Sequence, residues 1–209
     1  MKINVKERYT TLLAIALLCS SFSLAAQDTG RIYFTTAVGL LMPVSAFSKS
    51  YHQSLALNSG IEYRFRQYYF AQLVLDFNAI NYSQQIRDDG SAFLFQHTSS
   101  SVVSIGVNAG RNFALTNNNR LFISPYLGIG YCNIGEPRLT VDNDAGIIKQ
   151  EVKRMQGIFT RAGARMAFNT RSKLVQTIYI DAAYWSANIR VQASRPQALS
   201  LLVGTRIGF

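Results

Sequence analysis

Between Arg31 and Phe209 the chain alternates apolar and polar residues in eight stretches of about a dozen residues each, and the alternation has period two throughout. Period two is the mark of a β-strand, whose successive side chains point to opposite faces. The stretches predict strands at 31–42, 54–66, 68–82, 100–113, 120–133, 156–169, 173–186 and 197–209. Three of the connections are short: Arg66-Gln67-Tyr68, Leu115 to Asn119, and Thr170 to Lys173. The other four, 43–53, 83–99, 134–155 and 187–196, are long, and they alternate with the short ones. That rhythm predicts antiparallel up-and-down neighbours with one elaborate rim and one plain rim.

The two phases of the alternation differ in chemistry. One collects Ile32, Phe34, Val38, Leu40, Leu55, Leu57, Ile61, Leu73, Leu75, Phe77, Val103, Ile105, Val107, Leu121, Ile123, Leu127 and Ile129. The other collects Asn58, Gly60, Glu62, Arg64, Gln72, Asp76, Asn78, Ser104, Asn108, Arg161, Arg165, Thr177, Asp181 and Arg206. A soluble barrel turns its apolar phase inward, whereas a barrel in lipid turns it outward and keeps a polar lumen. The expected fold is therefore all-β: an eight-stranded antiparallel up-and-down transmembrane β-barrel with a polar, side-chain-filled interior. No stretch of the sequence is long and apolar enough for a membrane-spanning helix.

Aromatic residues gather at strand ends. Tyr63, Phe65 and Tyr69 join Phe113, Phe168 and Phe209 toward the plain rim, and Tyr131 and Tyr184 lie toward the long-loop rim. Amphipathic rings favour the two interfaces of a bilayer, so these residues are expected to form aromatic girdles.

The first residues add a location. Lys2, Lys6 and Arg8 precede the apolar run Leu12 to Leu18 and the small residues around Ala25 and Ala26, the three parts of a secretory signal peptide. Residues 1–26 are expected to be removed, after Ala25 or Ala26, leaving 27–209 as a single barrel domain. Removal lowers the formal charge from +10 to +8, because three cations and Glu7 leave together. Only Cys132 remains, so an intrachain disulfide is excluded despite the oxidising compartment. It reads as a small packing residue.

A narrow barrel fills its lumen with its own side chains. Glu62, Asp76 and Asp181 face Arg64, Arg161, Arg165 and Arg206 there, and buried charges need partners to offset desolvation. A salt-bridge network plugging the lumen is expected, as the polar substitute for a core; an arginine-lined ion pathway is the alternative. In the third long loop, Leu139-Thr140-Val141 and Ile147-Ile148 have the pattern to extend two strands as a protruding hairpin, whose edge is able to accept a partner strand. Asp142, Asn143 and Asp144 start like a calcium loop but lack its later glycine and glutamate, so no metal and no cofactor is expected. Arg87, Lys149, Lys153, Arg154, Arg190 and Arg195 in the long loops favour lipopolysaccharide as an anionic partner. Nucleic acid is discounted, since an exported chain does not meet it.

The last stretch, LSLLVGTRIGF, places Val203, Thr205, Ile207 and Phe209 in the apolar phase and ends on an aromatic ring. It resembles the closing strand of bacterial outer-membrane barrels, and the resemblance implies that these four residues serve as the signal read by the barrel-assembly machinery. With the eight alternating strands, the whole mature chain is similar to the small outer-membrane barrels of the OmpA transmembrane-domain and OmpX kind. The resemblance implies an integral cell outer-membrane protein of Gram-negative type, both termini periplasmic, surrounded by outer-membrane lipids. Its long loops would serve adhesion, envelope integrity or an extracellular partner. Two other functions belong to similar barrels. A secretion-system accessory barrel, PorT-like, would bind further proteins. A lipid A acyltransferase or deacylase would need a positioned base, and the candidates are His52 and His97, with Asp88, Asp89 and Ser91 nearby in the second loop. The segment Tyr184-Trp185-Ser186-Ala187-Asn188 is faintly similar to the deacylase His-x-Ser-Asn region but has no histidine, so no catalytic residue is assigned and the chain is read as non-enzymatic.

Overall fold

The structure, a computed structural model, describes residues 31–65, 68–89, 91–142, 147–170, 172 and 175–208. The expected leader 1–26, the closing Phe209, and Asn143 and Asp144 of the third long loop lie outside the described residues. The strands are β1 (Arg31–Pro43), β2 (Ser54–Phe65), β3 (Tyr69–Tyr82), β4 (Thr98–Arg111), β5 (Leu121–Asp142), β6 (Ile147–Asn169), β7 (Val175–Ala187) and β8 (Gln197–Gly208). Each pairs antiparallel with the next, and β1 pairs with β8 from Tyr33 opposite Gly208 to Pro43 opposite Ala198. The sheet is thus a closed eight-stranded up-and-down barrel, and closure removes both sheet edges.

Several predicted boundaries move by two residues or more, three of them with a local cause or as a long extension. The stretch 100–113 is interrupted at Asn112, after which Phe113–Ala114 resume on β5 in the same register. The cause is local: the Asn112 N–H donates to the Tyr68 carbonyl at 2.6 Å, and its buried side chain accepts from Ser124 Oγ at 2.6 Å. The larger shift is in β5 and β6, whose barrel portions are predicted to end at 133 and to begin at 156, and here the hairpin expected from Leu139-Thr140-Val141 and Ile147-Ile148 is present, with Val141 opposite Ile148. They continue as a hairpin far beyond the barrel, with Ile134 opposite Met155 and Asp142 opposite Ile147.

The inside and outside faces follow the two phases. Outward Ile32, Val38, Leu55, Ile61, Leu73, Ile105, Ile129, Ile180 and Val203 are exposed, and Leu127 is 70% exposed. Inward Glu62, Gln72, Asp76, Ser104, Asn108, Arg165, Asp181 and Arg206 are buried. The expectation of a polar interior holds for the half of the lumen toward the short links and needs correcting for the other half. There Leu41, Ile80, Val102, Ile134, Phe159, Trp185 and Leu202 point inward as one apolar cluster. Their surroundings explain it, because Phe47 from the first long loop, in the 3₁₀ turn Ser45–Lys49, and Val191 from the fourth pack over them as part of the same cluster. Phe159 finds its seat where Gly106 and Gly130 face each other across β4 and β5; a Cβ on either would lie under 3 Å from its ring.

Candidate functional site

Glu62 is the hub of the lumen. Its carboxylate accepts from Arg64 Nε at 3.0 Å, Arg165 Nη1 at 2.8 Å and Arg206 Nη2 at 3.0 Å. Strand pairing sets this up: β2 brings Glu62 and Arg64 to the same face two residues apart, β6 reaches them from across the lumen, and β8 reaches them from the far side of β1. Arg165 also donates to Asp181 at 3.1 Å and to Gln72 at 3.0 Å, and Tyr126 donates its hydroxyl to Asp181 at 2.7 Å. Asp76 forms a second centre, pairing with Arg161 and accepting from Asn58 at 2.5 Å and Ser104 at 3.0 Å. Aromatic faces flank the guanidiniums: Tyr179 lies 4.4 Å from Arg165, and Tyr33 takes Arg64 and Arg206 at 5.1 and 5.5 Å. All seven lumenal residues named from the sequence therefore stand in two clusters. Charge-assisted bonds of this kind offset the desolvation of buried ions where partners are in place, and among these guanidiniums the Nε groups of Arg161 and Arg206 have none.

A further cluster, which the sequence did not reveal, lies under the long loops. Buried Glu136 on β5 accepts from Tyr82 at 2.9 Å, from Arg138 at 3.2 Å and from Gln192 of the fourth loop. Gln192 in turn accepts the N–H groups of Gln85 and Ile86 in the second loop at 3.0 and 2.7 Å, and Gln85 donates to the Lys49 carbonyl in the first. All four long connections are tied to one carboxylate. Tyr51, stacked on Phe47 at 4.4 Å, lies beneath it; burial, then the charge of Glu136, pushes its phenol pKa well above the usual tyrosine value. Glu136 was legible only as one charge in a long loop, since its partners are distant in sequence.

The hairpin above this Glu136-centred cluster, the cap of the barrel, is asymmetric. On the β5 side, Pro137 has no N–H, the Leu139 N–H donates to Asp88 at 2.9 Å, and Arg138 pairs with Asp88 at 2.6 Å. On the β6 side, pairing with β7 begins only at Phe159 opposite Ala187, and Asn188 covers the Ile158 carbonyl. Among the described residues, no strand pairs with that side of Ile147–Gln156. Lys149, Lys153 and Arg154 are exposed along it, as are Arg87, Arg190 and Arg195 in the other long loops.

The girdle residues lie on the outward face. Tyr63, Phe65 and Tyr69 form a continuous stack with centroids 6.2 and 5.8 Å apart at the plain rim. Tyr131 and Tyr184 are exposed nearer the long loops, and Tyr131 donates to Gln156 at 2.9 Å. Val203 is exposed and Thr205 and Ile207 are half-buried on β8, while Phe209 lies outside the described residues. His52 and His97 are exposed, and among the described residues neither imidazole is held by a carboxylate. Among the same residues, no group of carboxylate, histidine and cysteine side chains is placed to hold a metal.

No protein-family description matches the chain, and no curated relative does. Solved structures do resemble it. A major outer-membrane protein from Thermus thermophilus superposes with a TM-score of 0.56 at 13% identity, over 85% of this chain and 99% of that one. Neisserial surface protein A aligns at 14% identity over 87% of this chain and all of that one, with a TM-score of 0.47. Ail, the attachment invasion locus protein of Yersinia pestis, aligns at 14% identity over 86% and 97%, with a TM-score of 0.44. The chain has the fold of the small outer-membrane β-barrels.

Proposed function

We propose that the protein is an integral outer-membrane barrel without catalytic activity, and that it works by binding a partner protein along the free edge of β6. The observation that carries the binding role is the unpaired stretch Ile147–Gln156, raised beyond the barrel on a hairpin whose other edge is blunted by Pro137 and Asp88. Such an edge offers a row of main-chain donors and acceptors to an extended segment of another chain. Lys149, Lys153 and Arg154 disfavour pairing of two identical edges and favour an acidic segment. The membrane location is supported by the apolar outward belt, its aromatic rim and the signal-like N-terminus. The exposed basic loops support lipopolysaccharide as the surrounding anionic surface. Among the described residues no carboxylate positions His52 or His97 as a base, which supports the non-enzymatic reading.

The test is adhesion of cells that display the protein to protein-coated surfaces, compared with cells carrying Gln150→Pro or Val152→Pro. A proline on this edge removes a ladder donor without touching the barrel wall. Loss of adhesion with normal surface levels is expected. Adhesion unchanged in both variants sinks the edge-binding role, and altered lipid A in cells that carry the protein would sink the non-enzymatic one.

A further inference from the structure

The net positive charge of the chain is not spread evenly. By sequence, the long connections hold eight cations against six carboxylates, and Arg138 there is already paired with Asp88 and Glu136. At the plain rim the described residues Arg31, Arg111 and Arg120 carry positive charge, while Glu62, the nearest carboxylate in sequence on the described part of β2, is turned into the lumen and holds three guanidiniums. The short links on that side add Arg66, Arg171 and Lys173 by sequence and no acid.

Arg111 differs from the other rim cations in where it stands. It is the last residue of β4 and belongs to the outward phase, with Val107 and Ile105. Its guanidinium lies 5.4 Å from the Tyr69 ring and 5.0 Å from the Phe113 ring. Tyr69 is itself stacked on Phe65 in the plain-rim girdle, so the cation is fixed at the level where such rings meet lipid headgroups. Among the described residues no carboxylate pairs with it. Rings that engage a guanidinium leave its N–H donors free, and that planar fork matches the oxygens of a phosphate.

We propose that Arg111, held between Tyr69 and Phe113, binds the phosphate of an acidic glycerophospholipid at the plain rim of the barrel. The inference rests on the reading that the outward wall faces a bilayer. Lipid fits better than an acidic protein, because a protein arriving from solvent meets Arg31 and Arg120 first, whereas Arg111 lies on the wall itself. An acidic headgroup fits better than a zwitterionic one, whose amine would be placed among further cations.

The experiment uses the full mature chain refolded into nanodiscs containing phosphatidylcholine and phosphatidylglycerol, with the lipids that stay bound after detergent release identified by native mass spectrometry. Retained lipid is expected to favour phosphatidylglycerol about five-fold over its bulk share, the effect of roughly one cation at an acidic surface. Arg111→Gln should remove the preference, Arg111→Lys should keep part of it, and Arg120→Gln should leave it intact. Equal retention of the two lipids by the natural protein overturns the proposal, as does an equal preference in Arg111→Gln. Should Arg111→Gln not assemble, Phe113→Leu frees one side of the guanidinium, and an undiminished preference there overturns the proposal. A chain that does not enter the nanodisc at all overturns the bilayer reading, a result separable from the others by its lack of a heat-shifted gel band.

Discussion

Glu62 and Arg206 stand 144 positions apart in sequence and meet at 3.0 Å with both side chains fully shielded from solvent. The contact exists only because β8 closes on β1 and β1 lies beside β2, so it reports closure of the barrel directly. Glu62 serves Arg64 and Arg165 as well. Neutralising it leaves three guanidiniums short of a partner.

Glu62→Gln is therefore expected to destabilise the barrel by about 3–5 kcal/mol, the usual cost of breaking a buried ion pair from one side. Urea unfolding in detergent, followed by the gel shift between folded and unfolded bands, measures it. Stability equal to that of the natural protein would mean that the network is solvated and does not plug the lumen.

The outward face makes a different prediction. Leu127, 70% exposed on the outer wall, should tolerate arginine poorly, at about 2–4 kcal/mol if it lies near the bilayer midplane. Ile148→Arg, on the hairpin beyond the barrel, should cost almost nothing. Equal losses at the two sites, measured by refolding into vesicles, would undo the assignment of the wall to lipid.

Much of this was legible from period two alone. Alternation separates inward from outward positions whatever the topology, so Glu62, Asp76, Arg161, Arg165, Asp181 and Arg206 were identifiable before any contact was known. What alternation does not separate is an inward apolar residue from an outward one where both phases are apolar. Val102, Ile134 and Trp185 were missed for that reason, and the apolar half of the lumen with them. Glu136 was missed for another. Its partners Tyr82 and Gln192 lie 54 and 56 positions away, in segments without any period.

The glycine seat beneath Phe159 gives a packing test. A Cβ on Gly130 would overlap the Ile105 carbonyl oxygen and lie 2.5 Å from the Gly106 Cα, both backbone atoms of the neighbouring strand. Gly130→Ala should cost about 1–3 kcal/mol, as overpacking does. At Gly135 the nearest atoms are 3.3 and 3.4 Å away, so Gly135→Ala is the control. Comparable melting of the two variants, with no loss in Gly130→Ala, would contradict the close approach of β4 and β5.

Tyr51 connects the cap to pH. Its folded-state pKa is raised, mainly by burial, so the neutral phenol stabilises the cap below the unfolded value of about 10, and that contribution is lost as pH climbs beyond it. Spectrophotometric titration of the folded protein should show the same number of tyrosines ionising near pH 10 in the natural chain and in Tyr51→Phe. One fewer in the variant would place Tyr51 in contact with solvent and the cap open.

The central claim, a closed barrel with an apolar outer wall, is tested most directly by gel mobility of the full chain from isolated membranes, with and without boiling. A compact band that migrates differently until boiled, from a membrane fraction soluble only in detergent, is the predicted result. A single band unchanged by boiling, from a protein soluble without detergent, would contradict it.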